Sequence, residues 1–246
     1  MTLNNLLKFN TSDLRDMADE LDLKTTGKKS EDLANEISVH LDCFEAYRAS
    51  KSKYKICGKL GETGKEGTTY LVKMRNGTEY AMKCFRNRKS LNTLQREAIL
   101  QSQAAKYDVS PSVIDVDYAS RSIIMEKMDC HLYDKIQKQR GELTSTQQRD
   151  ILRIFRGLDE AGVFQGDSNI LNYMYRDKKL YIIDFGMARE ITLQLKAKLK
   201  TETPNMDLML LAFVVKLREM KCSSSSYKHL VLHISKENRE KYGIDG

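Results

Sequence analysis

A chain of 246 residues is long enough for one or two domains with a sizeable core. Its 41% apolar and 30% charged residues fit a soluble globular protein and exclude a disordered one. Five scattered cysteines without a Cys-x-x-Cys pair, and four unclustered histidines, argue against a zinc site or a disulfide framework and favour a reducing, intracellular setting. The net charge of +7 is uneven: residues 1–50 hold six basic against ten acidic side chains, so the remainder carries +11. A basic body suits phosphate-bearing ligands or acidic partners. The longest apolar run, 208–215, is too short to span a membrane, and the N-terminus lacks the basic-then-apolar pattern of a signal peptide.

Leu6, Leu7, Phe9, Leu14, Met17, Ala18, Leu21 and Leu23 predict a short helix behind a Thr11-Ser12-Asp13 cap. A Thr25-Thr26-Gly27-Lys28-Lys29 loop follows, and Ser30-Glu31 opens a second helix with Leu33, Ile37 and Leu41 on one face. This arrangement over residues 1–45 resembles a SAP-type helix-extension-helix module, which implies binding of DNA or RNA phosphates near the start of the second helix. A helical hairpin that packs on the body or on a protein partner is the alternative, favoured by the acidic charge. Residues 43–53 read as a polar connection, with a domain boundary near residue 50.

Residues 54–60 and 68–73 read as strands around a turn carrying Gly61, Gly64 and Gly67; such glycines let backbone N–H groups approach an anion closely. Asn76-Gly77 signals a hairpin into a strand over 79–85 that contains Lys83. Glu97 lies on the helix after it. Strands follow at 113–117 and 122–128, the latter holding Met125, Glu126 and Met128.

Helices are predicted at 132–136 and 145–161, the second with a stripe of Ile151, Leu152, Ile154, Phe155 and Leu158. The stretch 165–172 then places Asp167, able to accept a proton, ahead of Asn172. Twelve residues after Asn172, an apolar strand over 179–183 delivers Asp184, followed by Phe185 and Gly186. Asn172 and Asp184 offer the hard oxygen atoms that Mg²⁺ prefers. A buried helix is expected over 206–215, with Asp207 as an anchor for the 165–172 loop. Residues 223–226 read as a flexible serine loop open to self-phosphorylation, and 227–246 as a charged tail.

Asp167 with Asn172, then Asp184-Phe185-Gly186, behind Lys83, Glu97 and a glycine turn, resembles the motif set of a protein kinase-like domain from about residue 53 onward. The resemblance implies an α+β, bilobal fold: an N-lobe of antiparallel sheet plus helix over 53–125 and a reduced helical C-lobe over 129–246, preceded by the SAP-like module. It implies that Gly61, Gly64 and Gly67 cover the phosphates of ATP, that Lys83, held by Glu97, grips them, and that Met125, Glu126 and Met128 line the adenine. Asp167 becomes the catalytic base, and Asn172 with Asp184 the Mg²⁺ ligands.

Departures from the kinase pattern carry information. Gln165-Gly166-Asp167 stands in place of His-Arg-Asp, which is similar to RIO-type kinases, the small kinase of the KEOPS complex and aminoglycoside phosphotransferases. Without that arginine, no switch through a phosphorylated activation loop is expected. The glycines are spaced Gly-x-x-Gly-x-x-Gly, Thr69 replaces a valine, and Asn169 replaces a lysine. Only sixty residues follow Gly186, and they contain no Ala-Pro-Glu. The expected activity is ATP-dependent phosphorylation of serine or threonine on a protein. A RIO-like ATPase switch, a small-molecule phosphotransferase and a pseudokinase scaffold are the alternatives. A SAP-like module on a minimal kinase is also similar to proteins encoded by large DNA viruses, which would place it in an infected cell or virion.

Overall fold

The structure, a computed structural model, describes residues 6–21, 23, 25–49, 53–61, 66–86 and 89–244. They fall into two compact units, one formed by residues up to Arg86 together with 117–122, the other by 87–116 with 123–246.

The first unit begins with α1 (Thr11–Glu20) and α2 (Ser30–Ala49). The cap of α1 is Asn10, whose side chain accepts the Asp13 N–H at 2.9 Å, so the cap lies one residue ahead of the predicted one. Leu6, Leu14, Ala18, Leu33, Ala34 and Ile37 close into a small core of their own, whereas Leu7 and Phe9, also read into the apolar pattern, are exposed. Helix α2 continues to Ala49, so most of the expected polar connection is helical. The Lys28 ammonium is paired with Glu36, which lowers the positive charge presented at the start of α2.

Strands β1 (Tyr54–Lys59), β2 (Gly67–Met74) and β3 (Glu79–Phe85) form an antiparallel meander in the same unit. The predicted Asn76-Gly77 reversal is present. Gly77 takes φ 85° and donates its N–H to Met74 O at 2.9 Å, and Asn76 Oδ1 accepts the Thr78 N–H at 3.0 Å. An asparagine side chain and a left-handed glycine make this turn at low steric cost.

In the second unit Ser90 caps α3 (Leu91–Lys106); β4 (Val113–Asp117) and β5 (Ser122–Glu126) follow, their end residues Asp117 and Ser122 counted with the first unit. After β6 (Cys130–His131) come α4 (Leu132–Lys138) and α5 (Ser145–Glu160). A Thr144/Gln147 capping box starts α5. Its stripe of Ile151, Ile154, Phe155 and Leu158 is fully buried, and Phe155, Tyr173 and Phe213 meet edge to face at ring separations of 5.0–6.3 Å. Next come β7 (Val163–Phe164), β8 (Tyr173–Arg176), β9 (Lys179–Ile182) and β10 (Arg189–Glu190). β10 pairs with β7, and β8 lies between β6 and β9. Strands and helices together make a mixed α+β architecture with an antiparallel sheet, compatible with a kinase-like fold.

The C-terminal residues differ from the expectation. After α6 (Leu193–Leu199), a single helix does not cover 206–215; a π-helical segment, Asn205–Met209, leads into α7 (Leu210–Glu219). The serine run is a 3₁₀ turn, Ser224–Ser226, with Ser226 wholly buried. Ser223 and Ser225 donate hydroxyl hydrogen bonds to the two oxygens of Glu142, at 2.6 and 2.7 Å. The serine hydroxyls hold the Glu142 carboxyl below its usual range. The charged tail forms α8 (Lys228–Val231) and α9 (Lys236–Lys241) and contributes Leu230, Val231, Ile234 and Ile244 to the main core.

Candidate active site

In the first unit, β2 starts at Gly67, whose Cα faces the β3 backbone; a Cβ there would come within 2.0 Å of Cys84 O. Only glycine fits without parting the strands. Gly61 takes φ 71°, a left-handed turn, while Gly64 lies outside the described residues. Lys83, on β3, has its ammonium 3.9 Å from Glu66 and 5.1 Å from the Phe85 ring centre. Neighbouring Cys84 is a free thiol that burial pushes up to about 12, so it is inert near neutral pH. A Gly67→Ala protein is expected to lose ~1–3 kcal/mol of stability, the usual cost of overpacking. Urea unfolding checks this; a wild-type midpoint would contradict the close approach.

In the second unit, β7 runs into Gln165 and then Gly166, which turns at φ 74°. A Cβ on Gly166 would lie 2.9 Å from Met187 O, which explains why glycine stands where kinases carry arginine. The turn releases Asp167. Its Oδ1 accepts the Asn169 N–H at 3.0 Å, and its Oδ2 accepts Asn172 Nδ2 at 2.9 Å. Asn169 in turn accepts the Leu171 N–H and caps the short 3₁₀ helix Ile170–Asn172. Because the nitrogen of the Asn172 amide is committed to Asp167, its oxygen is the atom that remains to act as a ligand.

Strand β9 delivers Asp184, which takes φ 62° and accepts the Gly186 N–H at 3.2 Å. Phe185 is buried beneath it. Three hydrogen bonds tie this loop to the Asp167 loop. The Ile183 N–H reaches Asn172 O at 2.8 Å, and Gln165 Nε2 reaches Asp184 O at 2.7 Å and Ile183 O at 3.3 Å. Gln165 is fully buried, so the clamp works away from competing water. Asp167, Asn172 and Asp184 are thereby linked by one network of hydrogen bonds. An amide oxygen and a carboxylate are the donor chemistry Mg²⁺ takes, so the residues fit that ion.

The frame rests on Asn205, which the sequence reading missed. Asn205 Oδ1 accepts the Gln165 N–H at 3.1 Å, while its Nδ2 donates to Val163 O and to Asp159 Oδ1, each at 2.8 Å. Asp159 also accepts the backbone N–H groups of Asn205 and Met206, capping the π-helical segment. Burial pushes the Asp159 carboxyl above its usual range despite these donors. Asp207, the residue expected to anchor the loop, instead accepts hydroxyl hydrogen bonds from Thr201 and Thr203.

Glu97 is buried on α3, and the Lys89 ammonium lies 2.6 Å from its carboxylate. On the same helix, Gln101 donates to Pro111 O at 3.0 Å and to the Met125 sulfur at 3.4 Å, fixing the end of β5. Met125 is buried and Met128 half-buried. The Glu126 N–H donates to Ser112 O at 3.1 Å, and its carboxylate accepts the Ser112 N–H at 2.9 Å and pairs with Arg176.

Two curated proteins are similar to part of this chain. The KEOPS complex subunit Bud32 of Pyrococcus abyssi is 34% identical over 95 residues, covering 38% of this chain and 43% of that protein. Calcium-dependent protein kinase 27 of Oryza sativa subsp. japonica is 30% identical over 155 residues, 56% of this chain and 25% of that protein. The chain is similar to protein kinases. No protein-family model matches it, and it spans less than half the length of either relative. The homology is weak and partial, and it supports a protein kinase-like family.

Glu126 gives a pH test of this kinase-like frame. Burial disfavours its charged form, yet the Ser112 N–H and the Arg176 guanidinium outweigh that and hold the carboxyl below its ordinary 4.5. The folded value is thus lower than the unfolded one. Its stabilising contribution is complete above the unfolded value and lost as pH falls through the folded value. Thermal melts between about pH 6 and pH 3 should fall less steeply for Glu126→Gln than for wild type. Parallel curves would contradict the assignment.

Proposed function

We propose that the chain is an ATP-dependent serine/threonine protein kinase that transfers the γ-phosphoryl group of ATP to a protein hydroxyl. The observation that carries this reading is the Asp167–Asn172–Asp184 frame, bound together through Gln165. Phosphoryl transfer asks mainly for positioning and for neutral surroundings of the phosphate charge. Asp167, held at both oxygens, orients the acceptor hydroxyl and takes its proton. Asn172 and Asp184 hold Mg²⁺, which when bound neutralises phosphate oxygens. Lys83 adds a fixed positive charge on the phosphates, and Gly61, Gly64 and Gly67 let backbone approach the phosphates. Met125, Glu126 and Met128 line the adenine.

The proposed partner is a protein substrate. Nucleic acid at the SAP-like first helices is a further proposal; pairing of Lys28 with Glu36 weighs against strong phosphate binding there. The test compares ATP consumed with phosphate bound to protein, using a generic basic protein and Mg²⁺, beside an Asp184→Asn control. Equal amounts that vanish in the control support the kinase. ATP consumed with no phosphoprotein would overturn it in favour of an ATPase or a small-molecule phosphotransferase.

A further inference from the structure

Lys83 was the one lysine the sequence assigned to the site, but a second lies beside it in the chain. Lys89 sits one residue before the Ser90 cap of α3, and its ammonium lies 2.6 Å from the Glu97 carboxylate. The pair is deeply buried: the Lys89 side chain is 9% exposed and that of Glu97 2%. Carboxylate oxygens of Glu97 and Asp184 lie within 4.8 Å of each other. Two carboxylates at that separation repel strongly where water is scarce, and a buried charge persists only with a partner. All three residues belong to the same unit.

We propose that Lys89 is a positioning residue for the metal site: it holds Glu97 as a neutralised ion pair, so that Asp184 is the carboxylate presented to a divalent cation. This rests on Asp184 being a metal ligand, as in the proposed function. Without the Lys89 charge the site is one unit more negative and over-attracts cations. Removing the Glu97 charge instead makes the site one unit more positive and weakens their binding.

The charge pattern predicts opposite signs for two single variants and cancellation in their combination, a signature that loss of packing does not produce. The measurement is Mn²⁺ binding by electron paramagnetic resonance, on the full chain without nucleotide, with folding followed by circular dichroism. Lys89→Gln is expected to tighten Mn²⁺ by about tenfold and Glu97→Gln to weaken it by about tenfold, the scale of one unit charge at several ångströms in a partly screened site. Lys89→Arg should bind as wild type, and the double variant Lys89→Met/Glu97→Gln should return to within about threefold of it. The double variant removes both charges of the pair together, so it reports even where Lys89→Gln fails to fold. Mn²⁺ binding that depends on Asp184 but is unchanged or weakened in Lys89→Gln would overturn the role of Lys89. A double variant that binds like Glu97→Gln would do the same. Wild-type protein that binds no Mn²⁺ would overturn Asp184 as ligand, and the proposal with it.

Discussion

Asp167→Asn protein is expected to fold as wild type and to lose about 10²–10⁴-fold in kcat, the usual contribution of a positioned base. Its KM for ATP should change little, because the lost interaction is made to the acceptor hydroxyl and develops with proton transfer. The amide keeps the size of the carboxylate and can still accept the Asn169 N–H through its oxygen. Its NH₂ then faces Asn172 Nδ2, which now donates to Asp167 Oδ2 at 2.9 Å. Two donors opposed in this way push Asn172 aside, so the variant should also require more Mg²⁺. Single-turnover kinetics at saturating ATP separate the two effects. Unchanged kcat would remove Asp167 from the chemistry.

The second large effect is on stability. Asn205→Ala is expected to cost about 2–5 kcal/mol, because two buried backbone groups lose their partners at about 1–3 kcal/mol each. The Gln165 N–H would have no acceptor and Val163 O no side-chain donor, at a site with no solvent exposure. For a chain of this size that corresponds to a fall of about 5–15 °C in Tm. Asn205→Asp keeps the volume but sets a carboxylate oxygen against Val163 O and Asp159, so it should be no better at neutral pH. Because burial already pushes the Asp159 carboxyl up, a shared proton should partly restore that variant as pH falls. A Tm within about 2 °C of wild type for Asn205→Ala would contradict this account of the anchor.

The Asn205 case shows what the sequence made legible and what it did not. Local signals were readable. Asn76-Gly77 turns the chain, the apolar run before Asp184 is β9, and the five-residue stripe of α5 is buried. Asp167 and Asn172 are close in the chain, and their spacing alone predicts that they meet. The anchor spans forty residues and leaves no period to read. An acidic residue, Asp207, drew the assignment, yet the position needs both an acceptor for Gln165 N–H and a donor for Val163 O. An amide supplies both, where an ionised carboxylate supplies only the acceptor. The tail was unreadable for a related reason: Leu230, Val231, Ile234 and Ile244 are too few and too short-spaced to announce a buried face. Lys89 was passed over because a lysine ahead of a helix is normally solvated; only the fold brings it against Glu97.

The central claim is that this frame moves phosphate from ATP onto a protein hydroxyl. The most direct measurement is mass-spectrometric mapping of phosphorylated residues after incubation with ATP and Mg²⁺, on wild type, Asp167→Asn and Asp184→Asn proteins, each with and without an added basic protein. Phosphoserine or phosphothreonine in the wild-type reactions, absent from both variants, is the predicted result. Folded wild-type protein that binds ATP yet leaves every serine and threonine unmodified would contradict it.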